Sequence, residues 1–242
     1  MLAPLIEQQI DIKGYCCQTK RKGHFVLFLK PASDTYCKNM QILAIENKRE
    51  AILKAALTTF KNYGYRKTSM HDISTALGMS RASLYTCFAN KDDIFRCALI
   101  SVTESGLVEA KRCLGLSALD LTSRVEAALL ARYLPLHQML IESVHGEEIA
   151  ETYFRLCGDS FEDSFMQSKD ILTATLKSAN RKKEIDLKGA LLTAPAASEL
   201  LNLTLLGLRH TSTDVEIYKM RVNRFVSVFM RGLQNPVVLN YP

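Results

Sequence analysis

Between Arg81 and Thr86 the chain gathers side chains suited to reading the edges of bases and meeting phosphate. Arg81 supplies a guanidinium and Ser83 and Thr86 short polar groups, with Ala82 near the tip of the same segment. Arg and the hydroxyls hydrogen-bond base edges or phosphates. Such contacts divide into those that fix register on a backbone and those that specify sequence.

Reaction chemistry finds less support. No nucleophile–base pairing, Gly-rich phosphate loop or paired metal ligands stand out. The seven Cys (16, 17, 37, 87, 97, 113 and 157) are odd in number and include no CxxC, so reduced thiols are the simplest reading. Cys16, Cys17, His24 and Cys37 could gather a metal, but their spacing fits no standard zinc pattern. His137 and His145 stand eight apart, which is not a metal pair. Glu147, Glu148 and Glu151 lie at a helix start, where the helix dipole accounts for them. An all-α enzyme using Cys157 or His137 has no supporting constellation. The expectation is no catalytic residue, no metal and no cofactor.

The elements that position the 81–86 stretch are short helices. Asn47 with Glu50 reads as a capping box. Ile52, Ala56 and Phe60 recur at i, i+4 and i+8, which predicts a helix over about 48–62. Gly64 stands where a helix end takes positive φ. Thr68 or Ser69 caps a helix over 70–76, and Ser80 caps one over 81–88. Gly78, lacking Cβ, permits the sharp turn between them. Ile73, Leu84 and Phe88 face inward and lock the pair at a fixed angle. Asn90-Lys91-Asp92-Asp93 opens a further helix. Two short helices joined by a three-residue turn form a helix-turn-helix, whose second helix offers its free face to a major groove.

The rest of the 242 residues is also helical in pattern. Helices are expected near 104–114, 119–134, 136–144, 147–157, 160–180, 194–210 and 213–233, the last with the capping box Thr213-Asp214-Val215-Glu216. Pro195 fits the first turn of its helix. The last two helices carry apolar residues on more than one face, so they must be covered on more than one side. Residues 1–45 show no sustained helical period and contain Gly14, Gly23 and Pro31, and they read as an irregular extension; the first 39 are expected to be dispensable, upstream of a start at Met40, the alternative being a basic arm that tracks phosphate. The fold class expected is all-α. The boundaries are a head over 46–106 and a larger body over 107–242.

Charge is uneven along the chain. Residues 46–96 carry nine Lys/Arg against five Asp/Glu, net +4, and residues 97–242 carry sixteen against seventeen, net −1. A basic end on a near-neutral body fits an anionic partner. The longest strongly apolar stretch, 200–208, is nine residues, short of the ~20 a spanning helix needs. The start of the chain does not read as a signal peptide, because Glu7 and Asp11 interrupt it. The expectation is a cytoplasmic protein on no membrane.

The pattern Ile52-Leu53, Ala55-Ala56, Phe60, Gly64, Thr68-Ser69, Ile73, Gly78-Met79-Ser80, Leu84-Tyr85, Phe88, Lys91, Ile94-Phe95 resembles the TetR/AcrR-type DNA-binding domain over about 46–96. It departs at His71, Ser74, Leu77 and Cys87, where the family usually has Arg, Ala, Ala, and His or Tyr. The resemblance implies a homodimeric, prokaryotic repressor released from a palindromic operator by a small-molecule effector. It places Thr68 and Ser69 on phosphate, Arg81, Ala82, Ser83 and Thr86 in the groove, and Tyr85 and Lys91 on the backbone. It puts a ligand cavity among Tyr133, His137, Tyr153, Phe154, Phe161 and Phe165, each of which by itself reads more readily as plain core, and an apolar or amphipathic effector there. It pairs the last two helices with their mates in the dimer. The alternative is a ligand- or partner-sensing protein on the same scaffold without a discrete operator.

Overall fold

The computed structural model describes residues 34–212 and 214–234. The chain divides into two units, residues 1–50 and residues 51–242. Of the first, residues 34–50 are described and are helical, as the opening part of α1 (Asp34–Tyr63). The remaining elements are α2 (Met70–Ala76), α3 (Arg81–Tyr85), α4 (Lys91–Leu114), α5 (Leu121–Ile141), α6 (Gly146–Arg181), α7 (Ala194–Thr211) and α8 (Val215–Gln234). The fold is all-α.

The head forms for the local reasons its residues provide. Gly64 ends α1 at φ +80 and Gly78 turns between α2 and α3 at φ +62. Ser69 caps α2 in a reciprocal capping box with Asp72. Ser80 accepts the amide of Ser83 to cap α3, and Asn90 accepts that of Asp93 to cap α4. Ile73 and Leu84 are fully buried and Phe88 nearly so, as their periodicity requires.

Four boundaries differ from the sequence reading. The expected irregular segment 1–45 is helical from Asp34, so Asn47 lies inside α1 and is not its cap. No Gly or Pro interrupts the chain between Pro31 and Gly64, and Leu43 and Ile45 are exposed, so the helix extends without a buried stripe to betray it. The helix expected at 104–114 is the end of α4, which crosses the expected head–body boundary at 106. The break expected before Pro135 is absent, because α5 runs through it. The missing amide frees the carbonyl of Ala131. Gly106 of α4 packs there: a Cβ on it would stand 3.1 Å from the Ala131 oxygen and 3.0 Å from that of Arg132. The helices expected at 147–157 and 160–180 are one helix, α6, bent at Cys157 (φ −127, ψ 17).

Other endings shift slightly. α3 stops at Tyr85 where Phe88 was expected. At the start of α8, Asp214 Oδ1 accepts the amides of Glu216 and Ile217; Thr213 lies outside the described residues, as do Cys16, Cys17 and His24. Thr193 caps α7 with Pro195 in its first turn.

Two apolar cores follow. One joins α4 to α8 through residues such as Val125, Leu129, Leu176, Leu201 and Val226. The other is built from Ile52, Phe60, Ile73, Leu84 and Phe95 of the head, and Leu136, Ile149, Tyr153 and Cys157 of the body enter it. Head and body therefore share a core, and motion in α5 or α6 is felt at the helix-turn-helix.

Candidate nucleic-acid interface

The exposed face of α3 carries Arg81, Ala82 and Tyr85, with Thr86 at its cap and Ser83 half-buried beside them. Leu84, on the opposite side, is fully buried. Arg81 projects from the first position of the helix, the end that enters a groove first. The Thr86 hydroxyl donates to the carbonyl of Ser83 at 2.7 Å, which keeps its oxygen outward as an acceptor.

The supports around α3 treat the expected phosphate contacts unequally. Ser69 is exposed; its hydroxyl donates to Asp72 Oδ2 at 2.7 Å and accepts the Asp72 amide. The hydroxyl, together with the Ser69 backbone amide that donates to the same Oδ2 at 2.8 Å, holds the Asp72 carboxyl below the usual carboxylate range. Thr68 is buried, and its hydroxyl donates to the carbonyl of Gly64 at 2.6 Å. Of the two, Thr68 is therefore committed inside the protein, because the tight turn after α1 needs that bond. Arg66 and Lys67 are exposed just before it and add positive charge to the same edge.

Lys91 is half-buried. Its ammonium donates to the carbonyl of Tyr65 at 2.8 Å, reaches that of Arg66 at 3.5 Å, and lies 4.2 Å from the centre of the Tyr65 ring. Burial pulls its pKa down, against the pull of Asp92 and Glu148. Tyr65, absent from the sequence reading, packs edge-on against Phe95 at 5.0 Å and donates its hydroxyl to Asp92. Its pKa is pushed up to about 12, by burial first and then by Asp92.

The body reaches the same turn from the other side. Glu148 accepts the backbone amide of Arg66 at 2.6 Å, and Ser143 donates to the carbonyl of Lys61 at 2.6 Å. Lys61 pairs with Glu142 at 2.7 Å. Glu148 thus does more than stabilise its own helix start, the role the sequence reading assigned to it. Its partner lies 82 residues away, and no local signal marks that.

The six expected ligand residues fall into two groups. Tyr153, Phe154 and Phe161 form a ring cluster with centres 5.5–6.4 Å apart. Tyr133 and His137 are buried on α5, while Phe165 is half-buried on α6. Tyr133 donates to Asn202 Oδ1 at 2.6 Å, and Ser168 donates to the same oxygen at 2.7 Å. His137 packs on Tyr218 with ring centres 4.3 Å apart, and its pKa is pushed down to about 4 by burial and by Arg209 and His210. A cavity of about 10 Å³, lined by Leu107, Leu129, Ser168 and Leu172 among others, lies elsewhere and touches none of the six. Sequence reasoning passed over Arg132, Asn202 and Tyr218, although Arg132 and Asn202 are conspicuous as polar residues inside apolar stretches. Cys157 is 2% exposed and burial raises its thiol pKa to about 11, so it is no nucleophile at neutral pH. Among the described residues no helix is long and apolar enough to cross a membrane.

Comparison with known proteins meets this geometry. The family model described as "Bacterial regulatory proteins, tetR family" matches residues 52–98. The uncharacterized HTH-type transcriptional regulator YfiR of Bacillus subtilis strain 168 is 39% identical over 74 residues, 30% of this chain and 34% of YfiR. The chain thus spans about a third of the length of this curated relative. A transcriptional regulator from Cytophaga hutchinsonii superposes with a TM-score of 0.66 at 22% identity, covering 78% of this chain and 99% of that one. SmeT, the repressor of the Stenotrophomonas maltophilia multidrug efflux pump SmeDEF, superposes with a TM-score of 0.57 at 20% identity, covering 79% and 92%. SmeT has also been solved with triclosan (TM-score 0.58, 18% identity, 79% and 93% covered). At these identities the structures show the fold.

Proposed function

Residues 52–98 match the tetR family of bacterial regulatory proteins, and from that premise we propose that the chain is a transcriptional repressor of that family, released from DNA by a small molecule. It binds a palindromic operator as a two-fold dimer, and the effector occupies the helical body. The observation that carries the reading is the free face of α3, where Arg81, Ala82, Tyr85 and Thr86 point outward while Leu84 is locked into the shared core.

Arg81 reads a base edge, and Ser69, Tyr85 and the cations Arg66 and Lys67 grip phosphates on either side. Thr68 acts by shaping the turn that presents Ser69. Lys91 acts chiefly from within, tying that turn to α4. A dimer sets two copies of α3 one helical turn of DNA apart, so its site is an inverted repeat.

The switch runs through the Tyr65–Arg66 turn, which Lys91 holds from α4 and Glu148 holds from α6. An effector that shifts α5 or α6 moves Glu148 against Lys91 and tilts the helix-turn-helix. The effector must prefer the released arrangement, since equal affinity for both would shift nothing. The aromatic cluster of Tyr153, Phe154 and Phe161 favours an effector with a substantial apolar part. SmeT, of like fold, takes triclosan. The deciding experiment is a footprint with DNA upstream of the protein's own gene, across a salt series. The expected result is protection of an inverted repeat whose affinity falls steeply with salt. Salt-independent or absent protection favours the scaffold that senses a partner without an operator.

A further inference from the structure

We propose that the effector of this body is an anion: an apolar molecule bearing a carboxylate, sulfonate or similar acidic group, whose charge is taken by Arg132 and Arg209. The proposal rests on the reading of the body as the effector-binding part and adds the chemistry of what enters it.

Arg132 on α5 is 4% exposed. Its Nη2 donates to Ser164 at 2.6 Å, and its Nε finds no acceptor among the described residues. Arg209 on α7 is half-buried, with its guanidinium carbon 5.7 Å from the centre of the Phe154 ring. Among the described residues no carboxylate pairs with either one. The groups that act on Arg132 electrostatically are the phenols Tyr133 and Tyr153, and those that act on Arg209 are Tyr218 and Tyr153. Tyr153 lies within electrostatic reach of both guanidiniums, and its ring centre is 5.8 Å from that of Phe154, which Arg209 faces.

Those phenols are no counter-ions. Burial pushes Tyr133, Tyr153 and Tyr218 upward, so all three stay neutral. Burial also pulls both guanidiniums below their ordinary value. A buried cation without an anion is among the costliest arrangements a fold can keep. Two further groups complete the deficit. His137 Nε2 and Tyr218 Oη are buried without a partner, on rings that touch each other and lie within electrostatic reach of Arg209.

Each orphan atom, Arg132 Nε, Tyr218 Oη and His137 Nε2, is able to donate a hydrogen bond. The missing component is therefore an acceptor that carries negative charge. Water would satisfy the hydroxyl and the imidazole but would neutralise neither guanidinium. The apolar part of the ligand has its surface beside Arg209, in the rings of Phe154, Tyr153 and Phe161. Tyr153 lies five residues along α6 from Glu148, so an anion drawn onto the arginines acts on the helix that grips the Arg66 amide.

The test is fluorescence titration of the full chain with two probes that share one frame. These are 8-anilinonaphthalene-1-sulfonate and N-phenyl-1-naphthylamine, which lacks the sulfonate. The sulfonate should bind at least about tenfold tighter. Arg132→Met and Arg209→Met should each remove that preference and leave the neutral probe within about twofold. Without ligand, Arg132→Met should melt at the same temperature as the parent or a few degrees higher, because an unpaired buried charge is gone, and Arg209→Met, at a half-buried position, should melt close to the parent. If Arg132→Met fails to fold, Arg209→Met decides alone. Equal affinity for the two probes in the parent overturns the anion and leaves a ligand-binding body. Binding of neither overturns both. A sulfonate preference that survives both substitutions, or a fall of several degrees in both unliganded variants, assigns the arginines to the fold and overturns the proposal.

Discussion

The carboxylate of Glu148 holds the backbone amide of Arg66 at 2.6 Å, and Lys91 holds the carbonyl of Tyr65, the neighbouring residue, at 2.8 Å. One turn of the head is thus clamped between the first turn of α4, within the head, and the first turn of α6, in the body, by groups of opposite charge that feel each other. Loops that join binding elements are commonly loose. This one is pinned at its donors and its acceptors alike, so its geometry follows α4 and α6.

Gly64 makes the clamp possible. Its φ of +80 suits glycine, and a Cβ there would collide with the Glu148 carboxylate and stand 3.1 Å from the His145 ring. Gly64→Ala should cost roughly 1–3 kcal/mol from backbone strain and the displaced carboxylate. Adding Glu148→Ala should cost less than the sum of the two single changes, because the collision is then gone. Thermal melts of the four proteins measure this, and strict additivity would separate Gly64 from the clamp.

Arg81 and Lys91 should respond differently to truncation. Arg81 is exposed at the tip of α3. Arg81→Ala should leave the melting temperature unchanged and relax preference at one base pair per half-site by about 1–3 kcal/mol. Lys91→Ala removes bonds to two carbonyls of the turn. It should weaken all DNA sites alike and also lower the melting temperature. Titrations against an operator and its single-base variants, set beside melts, separate the two roles.

Much of the head was legible in the sequence because its determinants are local. Ser69, Ser80 and Asn90 cap helices within three residues of themselves, and Gly64 and Gly78 act through their own φ. Ile73, Leu84 and Phe88 declare a buried face by spacing. The failures have equally definite causes. α1 extends to Asp34 with exposed Leu43 and Ile45, so no apolar stripe marks it. α5 passes through Pro135, a residue that ordinarily breaks a helix interior, because packing against Gly106 outweighs the lost hydrogen bond. The Arg66–Glu148 bond and the orphaned Arg132 depend on residues far apart in the chain, and periodicity carries no information about those.

His137 gives the protein an acid-sensitive step. Its ordinary value of 6.5 falls to about 4 in the fold, through burial and the nearby Arg209 and His210. Below about pH 6.5 the unfolded chain takes up a proton that the folded chain refuses until about pH 4. Stability therefore drops as pH falls through that window and levels off beneath it, by at most about 3 kcal/mol from this group. His137→Leu should flatten that part of the profile, leaving only the carboxylates at lower pH. Urea unfolding at half-unit steps from pH 7 to pH 4 measures the difference. An unchanged slope would mean that His137 takes up its proton as readily in the fold as in the unfolded chain.

The last expectation concerns assembly. On α8, Val222, Val226 and Met230 recur every four residues and are fully buried, which sets the inner face of that helix. Val228 lies off that face and is 70% exposed, and Leu203 of α7 is 50% exposed, with Leu200 and Met220 also open. Phe225 and Phe229 stand between, half-buried, with ring centres 5.6 Å apart and planes tilted by 42°. Single exposed leucines are ordinary, but a run of them along two adjacent helices is the surface a second copy would cover. Phe225→Asp tests this ambiguously, because Phe225 also packs on its own core. Val228→Asp and Leu203→Asp touch only the outer face. Across a two-fold axis each places two unpaired carboxylates in one apolar seam, a penalty of several kcal/mol. Both variants should keep the parent's helical content, sediment as monomers and lose most operator affinity, since one half-site contact is left in place of two. Dimers in both variants at micromolar concentration would move the interface away from α7 and α8.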